Sequence, residues 1–315
     1  MTVSSVSSSA DPLPDLEAVL AELAETRRIW REAHHRSQEP GPRELPSRDS
    51  VERIVDGLRG VLFPMRLGPS DLRQEDENRY IAQTLATVLP ELLAQVRLEL
   101  TWDARHEGAP TPPGRAEAIV TAFATSLPEI RRVLDTDVTA AYRADPAARS
   151  VDEVLLCYQG IQALIHHRIA HRLHALGVPL IARLVAELAH GATGIDIHPG
   201  ATIGDHFFID HGTGVVIGAT AVIGHRVQLF QGVTLGAKSF PTDADGRAIK
   251  GMPRHPIVED DVTIYSGATV LGRVTIGRGA ILGGSVWVTD DVPPHAIVSQ
   301  ARPQSMGRPP ERQTA

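Results

Sequence analysis

The sequence predicts an α+β protein in which an N-terminal α-helical domain is followed by a parallel β-helix of hexapeptide repeats. Three observations carry this prediction. An aliphatic residue recurs every six positions in the C-terminal part, helical periodicity fills the N-terminal part, and only 4% of the 315 residues are aromatic. Repeats of fixed short period are typical of solenoids whose coils bury their apolar residues by stacking. A narrow solenoid axis suits Val, Ile, Leu and Ala better than aromatic rings.

The aliphatic repeat extends from about Ile195 to about Ile297. Each hexad is expected to form one flat side of a triangular coil, with its aliphatic residue directed into the axis. An ordinary β-sandwich would show irregularly spaced strands instead. Thirteen aliphatic residues follow the spacing: Ile197, Ile203, Ile209, Ile217, Ile223, Leu229, Leu235, Val258, Ile264, Val270, Ile276, Leu282 and Val288.

Small residues are expected at the corners of the coils, where tight turns require freedom in φ. Seven glycines follow the aliphatic positions and are assigned to such corners: Gly204, Gly218, Gly224, Gly236, Gly272, Gly277 and Gly283.

Two interruptions break the repeat. The first shifts its phase by two residues at Asp210-His211-Gly212-Thr213-Gly214, and the second is a long insertion from Gly236 to Pro256. Long loops on rigid scaffolds tend to carry function, and local departures from a consistent pattern often mark functional sites. Both interruptions are polar and contain histidine, so the active site is predicted there.

The N-terminal part shows helical periodicity and capping signals. A first helical pattern includes Leu16 and Ile29, and a later one is expected to divide at Gly177, since Pro179 can open the next helix. The longer helices are predicted near 48–61, 77–105, 115–144 and 151–190.

These patterns divide the chain into four segments. Residues 1–47 are predicted to be a flexible tail, a helix and a linker, and residues 48–194 an α-helical domain. Residues 195–300 are predicted to form the catalytic β-helix, and residues 301–315 a disordered tail.

Composition excludes several classes of protein. The formal net charge of −7 argues against nucleic acid as a partner, since no basic stripe is present to neutralise phosphates. The single cysteine, Cys157, excludes an internal disulfide and fits a reducing compartment. Its apolar neighbours predict a buried structural thiol. Because neither an apolar run of membrane-spanning length nor a signal-peptide pattern is evident, we expect a cytoplasmic protein with no membrane partner.

The candidate chemistry centres on His211. A histidine oriented by a carboxylate can act as a general base, and Asp210 is adjacent while Asp196 lies earlier in the stack. Asp196 could instead cap the entry to the first coil. Arg254-His255 offers a bidentate partner for a small carboxylate, or else a solvated basic pair. Asp145 alone would be taken for a helix-ending turn.

Several longer motifs surround these residues. They are Arg143-Ala144-Asp145-Pro146-Ala147, Tyr158-Gln159-Gly160, His167-Arg168-Ile169-Ala170-His171, Asp196-Ile197-His198-Pro199, Asp210-His211-Gly212-Thr213-Gly214, Gly232-Val233-Thr234-Leu235-Gly236 and Arg254-His255-Pro256. Through them the chain resembles the serine O-acetyltransferases over roughly residues 115–298. The resemblance implies a left-handed coil, the usual form for hexapeptide repeats.

The resemblance implies acetyl transfer from acetyl-CoA to the L-serine hydroxyl, which gives O-acetylserine and CoA for cysteine biosynthesis. His211 would take the hydroxyl proton while Asp196 holds its other ring nitrogen. The hydroxyl would attack the thioester directly, without an acyl-enzyme, because both substrates are held together.

The resemblance also assigns binding residues for serine. Asp145 and Asp210 would receive the serine ammonium group. Arg254 and His255 would bind the carboxylate and the hydroxyl region. An amino acid needs anionic and cationic subsites beside the base, and these four residues supply both.

Acetyl-CoA in this family lies along the groove between neighbouring prisms of a trimer, and no metal is expected. Small residues would let the pantetheine arm approach the coil backbone, although each could equally be an ordinary corner residue. The matching positions are Gly236, Ala237, Ser266, Gly267 and Gly284.

The expected assembly is a homotrimer or a dimer of trimers, and the sequence leaves the choice open. Family members dock onto O-acetylserine sulfhydrylase through a C-terminal isoleucine. This sequence ends in Ala315, so that docking is expected to be weak or absent. Feedback inhibition by cysteine is plausible but is not decided by the sequence.

Three alternatives remain open. A zinc enzyme on the same fold could use His206 and His211 with His198 or His225 as a third ligand. An acetyltransferase of the same superfamily could act on a sugar or drug hydroxyl, although those typically lack a large helical domain. A non-catalytic scaffold would not need the Asp196/His211 pair.

Overall fold

The computed structural model describes residues 15–34, 44–108 and 110–300. Residues 1–14 and 35–43 of the predicted N-terminal segment lie outside the described residues, as does the predicted tail 301–315 with Ala315. The chain divides into two compact units, Met1–Glu44 and Leu45–Ala315.

The first unit contains helix α1, Leu16–Ala33. The Asp15 carboxylate caps it by accepting the Glu17 N–H at 3.0 Å. Every residue of α1 is exposed, including the apolar Leu20 and Leu23, which stand on one face.

The second unit begins with seven α-helices and a 3₁₀ turn. The helices are α2 (Arg48–Leu62), α3 (Pro64–Leu67), α4 (Glu77–Glu107), α5 (Arg115–Ala144), α6 (Val151–Cys157), α7 (Gln159–Ala175) and α8 (Pro179–Thr193), with the turn at Gln74–Asp76. The predicted helices are present, including the division at Gly177. The break between α6 and α7 at Tyr158 was not predicted; Tyr158 has extended backbone angles there.

A buried carboxylate caps the N-terminus of helix α8. Glu99 of α4 accepts the backbone N–H groups of Leu180 and Ile181 at 2.6 and 2.8 Å. These N–H groups have no partner within the helix, so the carboxylate satisfies them. Burial raises the pKa of Glu99 to about 7.

The solenoid follows as short parallel strands in three sheets. The strands are β1 (Asp196–Ile197), β2 (Thr202–Ile203), β3 (Phe208–Asp210), β4 (Val216–Ile217), β5 (Val222–Ile223), β6 (Gln228–Phe230), β7 (Thr234–Gly236), β8 (Ile257–Val258), β9 (Thr263–Ile264), β10 (Thr269–Leu271), β11 (Thr275–Ile276), β12 (Ile281–Leu282), β13 (Trp287–Val288) and β14 (Ile297–Val298). The sheets have the orders β1-β4-β7-β10-β13, β11-β8-β5-β2 and β14-β12-β9-β6-β3. The predicted left-handed parallel β-helix is confirmed, and all thirteen hexad residues are buried.

Strand register aligns the three corners of successive coils. The His211 corner is the column Gly194, Gly214, Gly232, Gly267 and Ser285, which follows the slip containing His211. The His255 corner is the column Gly200, Thr220, His255 and Arg273. The His206 corner is the column His206, Arg226, Asp261, Gly279 and His295.

The prediction that the corner glycines provide freedom in φ is wrong for six of the seven. Only Gly272 has a positive φ, of 97°. Four of the others, Gly204, Gly218, Gly224 and Gly277, stand where a neighbouring coil approaches too closely for a side chain. A Cβ on Gly204 would lie 2.5 Å from the carbonyl oxygen of Gly224, and one on Gly218 would lie 2.0 Å from the His255 ring.

The helices pack directly on the first coil. A Cβ on Gly160 of α7 would lie 2.3 Å from the carbonyl oxygen of Ile209, so glycine permits this approach. Arg168 of α7 forms a buried ion pair with Asp137 of α5 at 3.1 Å and donates to the Gly204 carbonyl at 2.6 Å. Helices and solenoid therefore share one compact unit. No helix within the described residues is both long and apolar enough to cross a membrane.

Candidate active site

A cavity of about 440 Å³ lies beside the His211 corner, between the end of α5, the α6–α7 break and strand β3. Three of the predicted site residues line it together: Asp145, Asp210 and His211. The unpredicted break at Tyr158 forms its opposite wall. The cavity is therefore built from both the helices and the first interruption of the repeat.

His211 projects from this interruption with left-handed backbone angles. Its φ is 57°, a left-handed value that is uncommon for a residue other than glycine. The following Gly212, with φ of 85°, packs so closely on Ile195 that a Cβ would lie 2.4 Å from that side chain. The His211 side chain is 73% exposed, with Nε2 3.9 Å from the Asp210 carboxylate. The slip thus presents the imidazole to incoming molecules. The left-handed φ itself is shared by five other non-glycine residues at the coil corners, so exposure and the neighbouring carboxylates, not backbone angles, distinguish His211.

Asp145 supplies a fixed negative charge to the cavity. It ends α5 and accepts the Ala147 N–H at 2.7 Å and the Tyr158 hydroxyl. These two hydrogen bonds, the tyrosine one first, hold the pKa of Asp145 below its usual value, and nearby His211 adds to the effect. The same contact raises the pKa of Tyr158 to about 12. With Asp210 opposite, the cavity suits a cationic group.

Cys157 was predicted to be buried, and that prediction is wrong. The thiol is exposed and lines the same cavity as His211. The preceding Leu156 is exposed too, because the short helix α6 buries only Val154.

Asp196 is not joined to His211 by a hydrogen bond or ion pair within this chain, although both residues are described. Its carboxylate instead lies near Glu187 and His190 of α8, with the three ligand atoms within 4.8 Å of one another. Such a group could hold a metal ion, so the expectation of no metal stays a prediction.

The second predicted cluster lies at the His255 corner. The His255 ring is only 6% exposed and packs in the space left by Gly218. Its Nδ1 is 3.1 Å from the backbone nitrogen of Thr220 and 2.8 Å from the Thr220 hydroxyl. Burial, followed by the charges of Arg254 and Arg273, lowers the pKa of His255 to about 4. His255 is therefore neutral at physiological pH.

Arg254 has no acidic partner among the described residues. Its Nε is buried without a hydrogen bond, and Nη1 makes only a long contact of 3.4 Å to the Met252 carbonyl oxygen. Nearby His198 has a pKa lowered to about 4, chiefly by burial and then by the cations around it, among them Arg183. A half-buried guanidinium with an unpaired Nε and no neighbouring carboxylate among the described residues suits this corner to an anion.

A cleft of about 580 Å³ opens beside the same corner, under the long insertion. Four cationic side chains line it, and no acidic one does among the described residues: Lys238, Lys250, Arg254 and Arg273. Phe240, Ile249 and Met252 add apolar surface. The cleft therefore combines features suited to a ligand with phosphates and an apolar or aromatic part.

The remaining predicted residues divide between these two edges. Ser266, Gly267 and Gly284 lie at the His211 corner, where Gly267 and Ser285 continue the backbone hydrogen-bond column. Gly236 and Ala237 lie at the start of the insertion, at the other edge of the β1-β4-β7-β10-β13 sheet. Within one chain, the predicted residues therefore form two groups, one at the His211 corner and one at the His255 corner, and these groups lie at different edges of the prism.

The zinc alternative does not fit this geometry. His206, His211 and His198 lie at three different corners of the prism, and His206 and His225 both contact the Asp205 carboxylate instead. Within the described part of the chain, none of these histidines belongs to a group with metal-binding geometry.

Comparison with known proteins identifies the family. A family model described as "Serine acetyltransferase, N-terminal" matches residues 82–165. A Synechococcus elongatus protein named "Serine acetyltransferase, plasmid" is 55% identical over 266 residues, covering 83% of each chain. The chain belongs to the serine acetyltransferase family. A Bacillus subtilis serine acetyltransferase is 47% identical over 167 residues, covering 53% of this chain and 73% of its own.

Solved structures of serine acetyltransferases share the fold. Entamoeba histolytica serine acetyltransferase 1 in complex with L-cysteine is 37% identical with a TM-score of 0.69, covering 82% of this chain and 88% of that one. The Neisseria gonorrhoeae enzyme in complex with serine is 29% identical with a TM-score of 0.52, covering 80% and 95%. The chain is thus an acyltransferase with the family's helical and solenoid parts.

The roles of two residues of the site were not predicted from the sequence. Tyr158 belongs to the motif Tyr158-Gln159-Gly160, but nothing predicted that its hydroxyl would donate to Asp145. Thr220 lies in an ordinary hexad, and only the three-dimensional stack brings it to His255, 35 positions away. Neither role leaves a local signal in one sequence.

Proposed function

We propose that this serine acetyltransferase transfers acetyl from acetyl-CoA to L-serine, and that two chains complete each site. The observation that carries the proposal is the separation of charge between two corners of one prism. Asp145 and Asp210 make one corner anionic, whereas Arg254 with its neighbours makes the other cationic. A serine zwitterion needs both. A second copy placing its His255 corner against the His211 corner would supply them.

In this arrangement the serine ammonium lies between Asp145 and Asp210, and its carboxylate meets the unpaired Arg254 of the adjoining chain. A charge-assisted bidentate contact would satisfy the otherwise orphaned guanidinium. His255 donates to an oxygen of the substrate. The serine hydroxyl is then left beside His211, which stands free to accept its proton.

The chemistry follows from this placement. His211 removes the hydroxyl proton as the oxygen attacks the thioester carbonyl, and backbone N–H groups stabilise the oxyanion. The tetrahedral intermediate collapses to O-acetylserine and CoA, which takes up the proton. No acyl-enzyme is required. We propose that Asp196 orients the imidazolium only in the assembled oligomer, because one chain does not pair them.

Acetyl-CoA would lie in the groove between the two corners. Ser266, Gly267 and Gly284 leave one wall open to the pantetheine arm, and Gly236 with Ala237 forms part of the other. In the cationic cleft under the insertion, Lys238 and Lys250 would receive the phosphates, because Arg254 is assigned to the serine carboxylate. The product would supply cysteine biosynthesis, and the trimer needed for the groove is the proposed minimal assembly.

The test is a thiol-release assay with acetyl-CoA and a panel of serine, homoserine and sugars, repeated with His211→Ala. We expect preference for serine and a loss of at least about two orders of magnitude in kcat without the base. His206→Ala, at another corner, serves as the control and should retain activity. Near-normal turnover of His211→Ala would disprove the mechanism, and preference for a sugar would disprove the acceptor.

A further inference from the structure

The hydrogen bonds around Thr220 account for every donor and acceptor of its hydroxyl. Oγ1 accepts the backbone N–H groups of Arg254 at 2.9 Å and of His255 at 3.1 Å. A hydroxyl has one proton to donate and can accept twice. Because Oγ1 already accepts two hydrogen bonds, its own proton is donated to His255 Nδ1, 2.8 Å away. A single side chain thus joins the backbone of both predicted carboxylate-binding residues to the imidazole ring.

The backbone of Thr220 decides the tautomer of that ring. Its N–H lies 3.1 Å from His255 Nδ1, and an amide N–H can only donate. Nδ1 must therefore be the unprotonated acceptor, so the neutral ring carries its proton on Nε2. The ring cannot turn over easily, because it fills the space above Gly218, where a Cβ would lie 2.0 Å from it.

Arg273 closes the same corner from the next coil. Its Nη1 donates to the Thr220 carbonyl oxygen at 2.7 Å and to the His255 carbonyl oxygen at 3.0 Å. The charged groups facing His255 are Arg254 and Arg273, with no carboxylate shifting its pKa. Both cations oppose protonation of the ring. His255 is thus a fixed neutral donor rather than a second cation or a base.

We propose that Thr220 is a positioning residue for the acceptor substrate: it holds His255 as the Nε2–H tautomer and fixes the backbone from which Arg254 projects. This rests on the proposed function, in which Arg254 and His255 bind serine. The Nε2–H group then donates to a carboxylate or hydroxyl oxygen of serine. Thr220 itself touches no substrate, so its effect is confined to serine recognition.

The kinetic test compares Thr220→Val with Thr220→Ser in the full-length enzyme. Valine keeps the shape and the backbone N–H that sets the His255 tautomer, so this variant tests only the hold of the hydroxyl on the backbone of Arg254 and His255; serine restores that hydroxyl. We expect Thr220→Val to raise the KM for serine by about tenfold or more, about 1.4 kcal/mol, with kcat changed by less than about threefold. Thr220→Ser should restore a KM near that of the native enzyme. Thr202→Val, an exposed threonine of β2 outside this cluster, is the matched control.

The outcomes separate this inference from the proposed function. If Thr220→Val leaves the serine KM within twofold while Arg254→Ala raises it, the positioning role is wrong and the serine site stands. If Arg254→Ala and His255→Ala also leave it unchanged, the assignment of this corner to serine is wrong. Equal rises in the KM for serine and for acetyl-CoA would indicate a general disturbance and would also overturn the positioning role.

A second measurement does not depend on the folding of a variant. Native enzyme labelled with ¹⁵N-histidine reports the protonation of each ring nitrogen by NMR, and His255→Ala identifies the signal. We expect Nδ1 to be unprotonated and Nε2 protonated from about pH 6 to pH 8. A proton on Nδ1 would overturn the inference.

Discussion

The His211 corner and the His255 corner occupy equivalent places in the same repeating coil, yet they are built in opposite ways. All five residues of the His211 corner have positive φ, four of them glycines, and its histidine is 73% exposed in an anionic cavity. None of the four residues described at the His255 corner has a positive φ, and its histidine is 6% exposed among arginines. The His211 corner is open, whereas the His255 corner is packed and holds its histidine through two contacts between Nδ1 and Thr220. The His206 corner also has a positive φ at all five of its residues, so what distinguishes the His211 corner is an exposed histidine beside two carboxylates and not its backbone angles.

The largest expected effect concerns the separation of the two corners. His211→Ala and Arg254→Ala should each be nearly inactive alone. Co-expressed with different tags and purified as mixed oligomers, they should recover about one quarter of native activity, since random mixing leaves about that share of interfaces intact. The recovery is measured by thiol release at a serine concentration well below the KM.

The matched control pairs two defects of the same corner. His211→Ala mixed with Asp145→Ala leaves no complete His211 corner on any chain, so activity should not return. Recovery in this control, or its absence in the first mixture, would show that the two corners do not meet between chains.

The next largest expected effect concerns the negative charge of Asp145 beside the His211 corner. Asp145→Asn keeps the shape but removes the charge that the serine ammonium would meet, and it can accept only one of the two hydrogen bonds from Ala147 N–H and the Tyr158 hydroxyl. We expect the KM for serine to rise by about 10- to 100-fold, because hydrogen bonds to charged groups contribute about 1.5–3 kcal/mol, while the KM for acetyl-CoA stays constant. Initial rates over both substrates measure this. Tyr158→Phe should give a smaller rise, because the carboxylate remains; an equal rise would assign the effect to geometry instead of charge.

The residues buried along the solenoid axis could be predicted from the sequence because they recur every six positions. Each hexad residue is buried by stacking, so the aliphatic spacing alone identifies all thirteen. The corners are different, because what a corner glycine meets depends on residues one coil away. Gly218 follows the repeat like the other corner glycines, but the space beside it is occupied by His255, which is 37 positions later in the chain.

The site shows the same division. His211 and Arg254 could be found because they interrupt a regular pattern. The roles of Tyr158 and Thr220 could not, since both depend on contacts between elements that the sequence does not place together. The location of Asp196 away from His211 in one chain also follows from the fold, and no spacing argument could have excluded their contact.

The smallest expected effect tests the contrast between space and backbone strain. Gly218 at the packed corner has ordinary backbone angles but no room, since a Cβ would meet the His255 ring at 2.0 Å. Gly214 at the open corner has room, with its nearest neighbour at 3.6 Å, but a φ of 79°. Gly218→Ala should cost about 1–3 kcal/mol of unfolding free energy through overpacking, and Gly214→Ala about 1 kcal/mol through left-handed strain.

The two substitutions should differ more clearly in serine recognition than in stability. Gly218→Ala must displace the His255 ring, so it should raise the KM for serine, whereas Gly214→Ala leaves that ring in place. At Gly214, asparagine should be tolerated better than alanine, because it adopts left-handed angles more readily. Gly191 of α8, with open space around its Cβ and no positive φ, provides the reference: Gly191→Ala should stabilise by about 0.5–1 kcal/mol. Chemical denaturation and serine kinetics measure all four variants. If Gly218→Ala lost stability but kept the native KM for serine, the packed corner would be structural only, and His255 would have no part in holding the substrate.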